Sequence, residues 1–338
     1  MRKRLAIIIM AVLAAVSVLL TLGFGVYKIS LAEAIGVFFD HLMGNVTNPK
    51  ADYFIWDVRL PRAIGVVVLG AGLSVAGAVM QNDFRNPLAE PYTMGISSAA
   101  FMGVVLAMVA GFSLVPGLTG QSAYTVNAFV FSLVPIGAII LISKFRRLTP
   151  VSMILIGIAM MFLFSSVSQI LLLATDAETL ADAYSWRVGS TSRLDWSMLP
   201  IMTVITVIVI AFMYSLSRPM DVMHAGDRGA HSLGVKASRL RIVSLAAVSL
   251  MTAAIVSATG TIGFIGLVGP HVARIFVGSK NSYLIPASAA FGALFMAFAD
   301  TVAKITGPDG LPVGIICSIV GGPLFVYILV KRNSRVWM

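Results

Sequence analysis

Charge is what this sequence has least of. Lys, Arg, Asp and Glu make up 11% of the 338 residues and hydrophobic residues 58%, whereas a soluble domain carries about 25% charged residues. That scarcity argues against a soluble enzyme and predicts an all-α integral membrane protein. The one cysteine, Cys317, excludes an internal disulfide and a Cys-based metal cluster. None of the four histidines, His41, His224, His231 and His271, has a second ligand at metal-site spacing, so they read as structural or solvated. No Gly-x-x-x-x-Gly-Lys-Ser/Thr occurs, so the chain has no phosphate-binding loop of its own. Acidic residues are nearly missing from the centres of the apolar runs, where an ion-coupled secondary transporter would carry its coupling acids. That transporter stays the second reading. A third, an intramembrane enzyme, would need a Ser/His pair, paired Asp or a metal cluster at membrane depth, and no catalytic residue is visible. The net charge of +10 does not indicate nucleic acid, because the basic residues gather in the segments between apolar runs.

What is there in abundance is uncharged sequence. Such runs cover 5–26, 63–80, 91–143, 148–175, 196–217, 242–273, 281–299 and 310–330. A crossing needs roughly 20 apolar residues, so 91–143 holds two helices, broken between Gly111 and Gly120 around Pro116-Gly117. The run 242–273 lies between two basic segments, so the positive-inside rule demands two crossings there. Its break is Gly260-Thr-Ile-Gly263, and the short return helix contains Pro270. The total is about ten crossings in a single polytopic domain, residues 1–338, with both termini in the cytoplasm and most of the 24 Lys and Arg on that side. Met1-Arg-Lys-Arg4 resembles the start of a signal peptide, but the following run is longer than a signal core, so it reads as a retained first span. Two outer segments are long, 27–61 and 176–195, and Ala177 to Tyr184 fits a short surface helix.

Three segments invite a functional reading. Gln81-Asn-Asp-Phe-Arg-Asn-Pro-Leu-Ala-Glu-Pro91 is a polar break at which Pro87 and Pro91 forbid a continuing helix. The cytoplasmic segment 218–241 is too long for a simple connection; Gly226 to Val235 fits a short amphipathic helix between glycine breaks, either a solvated loop or a rigid dock for a partner. Gly70-Ala-Gly72 lies within an apolar helix and has Val75 where a dinucleotide fingerprint needs its third glycine, so close helix packing through Gly70, Ala71, Gly72, Ser74, Ala76 and Gly77 is the reading.

Taken together, Arg59-Leu-Pro-Arg62, Gly70 to Gly77 leading into Gln81, Arg85-Asn-Pro-Leu-Ala-Glu-Pro91, Gly95-Ile-Ser-Ser98, Ala230-x-x-Leu-Gly234, Gly260 to His271 with Arg274, Asp300-Thr301, and Leu311-Pro-Val-Gly314 with Gly322-Pro323 carry a resemblance. From about residue 5 to 330 the chain resembles the FecCD-type permease subunits of ATP-binding-cassette importers for iron-siderophores, haem and vitamin B12. The resemblance implies a vitamin B12 importer-like, type II ABC importer permease fold in a prokaryotic plasma (inner) membrane. It also implies a second permease copy, two cytoplasmic ATP-binding subunits that use the ATP, and an extracytoplasmic substrate-binding protein; no cofactor is bound by this chain. Ferric siderophore is the expected cargo, with haem and cobalamin as alternatives.

The resemblance also assigns residues. Asn86 and Leu88 match the turn that closes the cytoplasmic end of the path, and Thr149 and Pro150 match a second closing segment, although Pro150 and Val151 stand where relatives often have small hydroxyl residues. Gly226, Asp227, Ala230, Leu233 and Gly234 match the coupling helices that seat in the ATPase. Arg59, Arg62 and Lys304 match the cations that meet acidic residues of the binding protein, with Lys304 standing where many relatives have arginine; interfacial anchoring is the other reading of the two arginines. Gly310 stands where many relatives carry Glu, a role Asp309 is placed to take. From the residues alone, Arg187 after Trp186 is a candidate for meeting an anionic substrate in the path, against a plainer pairing with Asp182 or Asp195.

Overall fold

The computed structural model describes residues 1–25, 27–146, 148–306 and 310–331, and within them every regular element is helical. Asp309 lies outside the described residues. In chain order the helices are α1 (Arg2–Thr21), α2 (Leu31–Leu42), α3 (Pro49–Tyr53), α4 (Leu60–Phe84), α5 (Ile96–Ala110), α6 (Gly120–Ser132), α7 (Val134–Phe145), α8 (Pro150–Leu173), α9 (Ala177–Val188), α10 (Leu199–Ser215), α11 (Ser217–Val222), α12 (Gly226–Ser232), α13 (Ala237–Thr259), α14 (Ile265–Val277), α15 (Asn281–Ile305) and α16 (Val313–Lys331).

Six helical stretches are long and apolar enough to cross a membrane, and α10 joined to the helix after its 57° bend makes a seventh. Among the described residues, the shorter apolar helices α5, α14 and α16 bring the apolar helical segments to ten, in rough agreement with the ten crossings the sequence predicts. Two boundaries differ from expectation. The outer segment 27–61 is loop only in part: from Pro49 the chain is helical, passing through a wide π turn at Phe54–Arg59 directly into α4. The inner segment 218–241 likewise ends early, because α13 starts at Ala237 and takes Arg239 and Arg241 into its first turns.

The core is organised around α4, which packs against α15, α14, α10 and α13 and is buried on all sides over its second half. A helix that is apolar all round suits such a place, and the small residues set the spacing. A Cβ at Gly77 would lie 1.8 Å from the Gly266 carbonyl oxygen, and one at Gly70 would lie 2.3 Å from that of Gly292. Backbone therefore touches backbone along α4, the close packing its small residues predict. By contrast, α1 and α8 bury little of their length.

At two breaks in the apolar runs, polar groups are bonded by a neighbouring element, the condition for irregular backbone at membrane depth. At the α5–α6 turn, Asn127 donates to the carbonyls of Gly103 and Phe112 while its own oxygen accepts from the Leu114 N–H. At the α13–α14 break, the Ser190 N–H donates to the Thr259 carbonyl, Thr261 donates its hydroxyl to the Arg187 carbonyl, and the Ile262 N–H donates to the Tyr92 hydroxyl. The end of α9 is thus wedged into that break; Gly189 and Gly260, both at positive φ, let the two backbones meet.

Candidate functional site

The C-terminal end of α4 is bonded to four other helices. Gln81, Asn82 and Asp83 follow one another on the last turn and therefore point in three directions, about 100° apart on a helix. Gln81 donates to the Gly266 carbonyl in α14 and accepts from Arg274 at 2.6 Å. Asn82 donates to the Met220 carbonyl in α11 and accepts from Asn281 in α15. Asp83, fully buried, accepts the Ser244 hydroxyl of α13. Three side chains so tie α4 to α14, α11, α15 and α13.

The helix then stops in a Schellman arrangement: the Arg85 N–H donates to the Asn82 carbonyl and the Asn86 N–H to that of Gln81. Arg85 sits at φ 49°, ψ 37°, where glycine is usual and another residue costs roughly 1 kcal/mol. After it, the Asn86 side chain accepts the Leu88 N–H at 2.9 Å, turning the chain and leaving Leu88 exposed. Of the other predicted closing pair, Thr149 accepts the Ser152 N–H as the N-cap of α8, and Pro150 occupies its first turn.

The predicted docking helix exists as α12, shorter than expected. Ala230 is completely buried against Met223 and Ala237, while Leu233 projects with 65% of its surface exposed. Gly226 and Gly234, at φ 82° and 81°, flank the helix. Asp227 faces back toward the bundle: it accepts from Arg241 at 2.9 Å and from Arg85 at 3.3 Å. Arg241 itself is fully buried and also donates through Nε to the Asp83 carbonyl at 2.8 Å.

At the opposite end, Arg59, Arg62 and Lys304 line one cavity of about 460 Å³ together with Arg193. Their availability differs from what the sequence suggests. Arg59 is 4% exposed, its guanidinium donating to the carbonyls of Leu22 and Tyr27 between α1 and α2. Arg62 donates twice to one oxygen of Asp300. Lys304, buried, lies 2.9 Å from the other oxygen, and Thr191 donates to Asp300 at 2.5 Å. Arg59 and Lys304 are therefore internal ties rather than exposed rim charges, because the turn carbonyls and Asp300 offer stronger partners than water. No motif in the sequence marks Arg193; burial lowers its pKa against the opposing charge of Asp182.

Arg187 ends α9 exposed, with its guanidinium 5.1 Å from the centre of the Phe101 ring. Neither Asp182 nor Asp195 forms an ion pair with it: Asp195 instead accepts the N–H groups of Ser197 and Met198, capping its own turn. His41 pairs with Asp52 and stacks on Trp56, and His271 is within 2.6 Å of the Leu267 carbonyl, both structural contacts. Cys317 is buried beside Met296.

This architecture has relatives. The hemin transport system permease protein HmuU of Yersinia pestis is 34% identical over 304 residues, covering 89% of this chain and 90% of that protein. The iron(3+)-hydroxamate import system permease protein FhuG of Bacillus subtilis is 33% identical, covering 97% and 98%. A metal-chelate type ABC transporter, solved in an inward-facing conformation, superposes with a TM-score of 0.85 at 28% identity over 96% of this chain and 99% of that one. The fold is the all-α type II ABC importer permease fold. With residues 12–331 matching the family as a whole, the chain belongs to the FecCD transport family, the membrane-spanning permeases of ABC transporters.

Proposed function

We propose that this chain forms the translocation path of an ATP-driven importer of iron chelates, with ferric siderophore as cargo. Two copies pair in a prokaryotic plasma membrane, the Asp83 end facing two cytoplasmic ATP-binding subunits and the Arg62 end facing an extracytoplasmic binding protein. The chain does no covalent chemistry; ATP is hydrolysed by the partner. The names of the relatives span hemin and hydroxamate siderophores, so the cargo class rests on likeness and the siderophore assignment on the frequency of that class.

The observation that carries the reading is α12. It buries Ala230, presents Leu233 outward, and is held to the bundle through Asp227. A seven-residue helix capped by an exposed leucine is suited to enter a cleft of a cytoplasmic subunit. Gly226, Asp227, Ala230, Leu233 and Gly234 are assigned to ATPase coupling, and Asn86 and Leu88 to the cytoplasmic gate. Thr149 and Pro150 contribute to that gate by starting α8. Docking of the binding protein falls to the cavity at the Arg62 end, where Arg62 and Arg193 face the opening while Arg59 and Lys304 shape it. Arg187 is assigned to the substrate path.

The test is co-purification of the tagged chain with the products of neighbouring genes, followed by ATPase assay and titration of the solute-binding protein with ferric siderophore, haem and cobalamin. A stable complex with an ATPase and one tightly held ferric siderophore is expected. A chain that purifies alone and transports on an ion gradient without ATP would overturn the reading. Leu233→Glu is expected to abolish ATPase assembly while leaving the permease folded, since Leu233 is largely exposed.

A further inference from the structure

Asp227 belongs to α12, yet its carboxylate is shared by two arginines from different parts of the bundle. The two are held very differently. Arg241 has no exposed surface, and its Nε is fixed on the Asp83 carbonyl, so it moves only with α13 and the end of α4. Arg85 is 41% exposed in its side chain and stands at the left-handed residue where α4 ends and the Asn86–Leu88 turn begins. The fit leaves little slack: a Cβ on Gly226 would lie 3.2 Å from an Arg85 guanidinium nitrogen.

We infer that Asp227 is the positioning residue that transmits movement of α12 to the Asn86–Leu88 turn, with Arg241 as the fixed anchor and Arg85 as the moving arm. The inference rests on the reading of α12 as the coupling helix. Rotation of α12 about its buried Ala230 displaces Asp227. The Arg241 contact resists that displacement, because its guanidinium is anchored to the backbone. The Arg85 contact follows it, because nothing else holds that side chain among its described contacts. A shift of Arg85 acts on the one backbone position where the helix ends and the turn begins, so a small rotation at α12 changes the direction in which Leu88 is presented. The pair sits at the surface, where an isolated ion pair contributes little to folding; its worth lies in which state of the turn it selects.

The experiment uses the complete transporter, permease with its ATPase and binding protein, in proteoliposomes. Arg85→Gln is expected to retain ATPase assembly and basal ATP hydrolysis while uptake per ATP falls roughly tenfold, the scale of a typical coupling between sites. Arg85→Lys, which keeps the charge, is expected to recover most of the uptake. Unaltered uptake per ATP in Arg85→Gln overturns the inference. So does loss of ATPase assembly in that variant, because the pair would then hold the dock in place rather than transmit its movement. Normal ATPase assembly in Leu233→Glu would instead strike at the coupling-helix reading itself, whatever the Arg85 variants do.

Discussion

Arg62 in α4 and Asp300 in α15 are joined by two hydrogen bonds to a single carboxylate oxygen, 3.0 Å from Nε and 2.9 Å from Nη2. With Lys304 on the other oxygen, one buried acid holds two cations at the end of the longest helix contact in the bundle. Removing the acid strands both. Asp300→Ala is expected to lower stability by about 3–5 kcal/mol, the usual cost of breaking a buried pair. Thermal unfolding of the purified protein in detergent reads this out, and Lys304→Met on the Asp300→Asn background should regain part of the loss. An unchanged melting temperature would mean the cluster does not hold α4 to α15.

Arg59 yields a second prediction, because its planar guanidinium donates through two separate nitrogens to two carbonyls, a fork that the single nitrogen of a lysine does not reproduce. Charged hydrogen bonds of this kind contribute about 1.5–3 kcal/mol each. Both Arg59→Ala and Arg59→Lys are expected to destabilise the fold, and the association rate of the binding protein should keep its salt dependence. The opposite result, a stable variant whose association is slower and less salt-sensitive, would return Arg59 to the docking surface.

The glycine contacts of α4 predict a sharp contrast. Gly77→Ala drives a methyl into the Gly266 backbone, which cannot move aside as a side chain could; a loss of about 1–3 kcal/mol or more is expected. Gly137→Ala, with no atom within 4 Å of the new methyl, should be neutral or stabilising by up to about 1 kcal/mol. Yield of monodisperse protein and its melting temperature compare the two. Equal tolerance at both sites would contradict the backbone contact.

Arg187 leans on Phe101 without an ionic partner among its described contacts. Such a cation–π contact is worth roughly 0.5–1 kcal/mol at an exposed site, so Arg187→Ala should leave stability nearly intact. Uptake of an anionic chelate is expected to slow roughly tenfold or more, the scale of one lost hydrogen bond to a charged group. Unchanged uptake at normal expression would remove Arg187 from the path.

Much of the architecture could be read before any coordinate. The ten crossings, the breaks at Gly111–Gly120 and Gly260–Gly263, the surface helix after Asp176 and the packing role of Gly70 to Gly77 all follow from local composition. The outer and inner segment boundaries were set too wide, because α3 and α13 extend polar and charged residues into helices, where periodicity over a few residues carries little signal. The polar run Gln81-Asn-Asp83 was legible as a break but not as a hub, since its partners lie in α11, α13, α14 and α15.

The division has a physical cause. Where a chain can sit in a medium of low dielectric depends on the transfer free energies of neighbouring residues and on Pro and Gly, which are properties of the local sequence. From them the sequence alone determined an α-helical membrane protein, its crossings and its family. Whether a given cation is a free rim charge or an internal tie depends on which distant acid or carbonyl packing brings within 3 Å. Only the tertiary structure decided that Arg59 closes the α1–α2 turn, that Arg62 and Lys304 share Asp300, and that Asp227 stands between Arg85 and a buried Arg241.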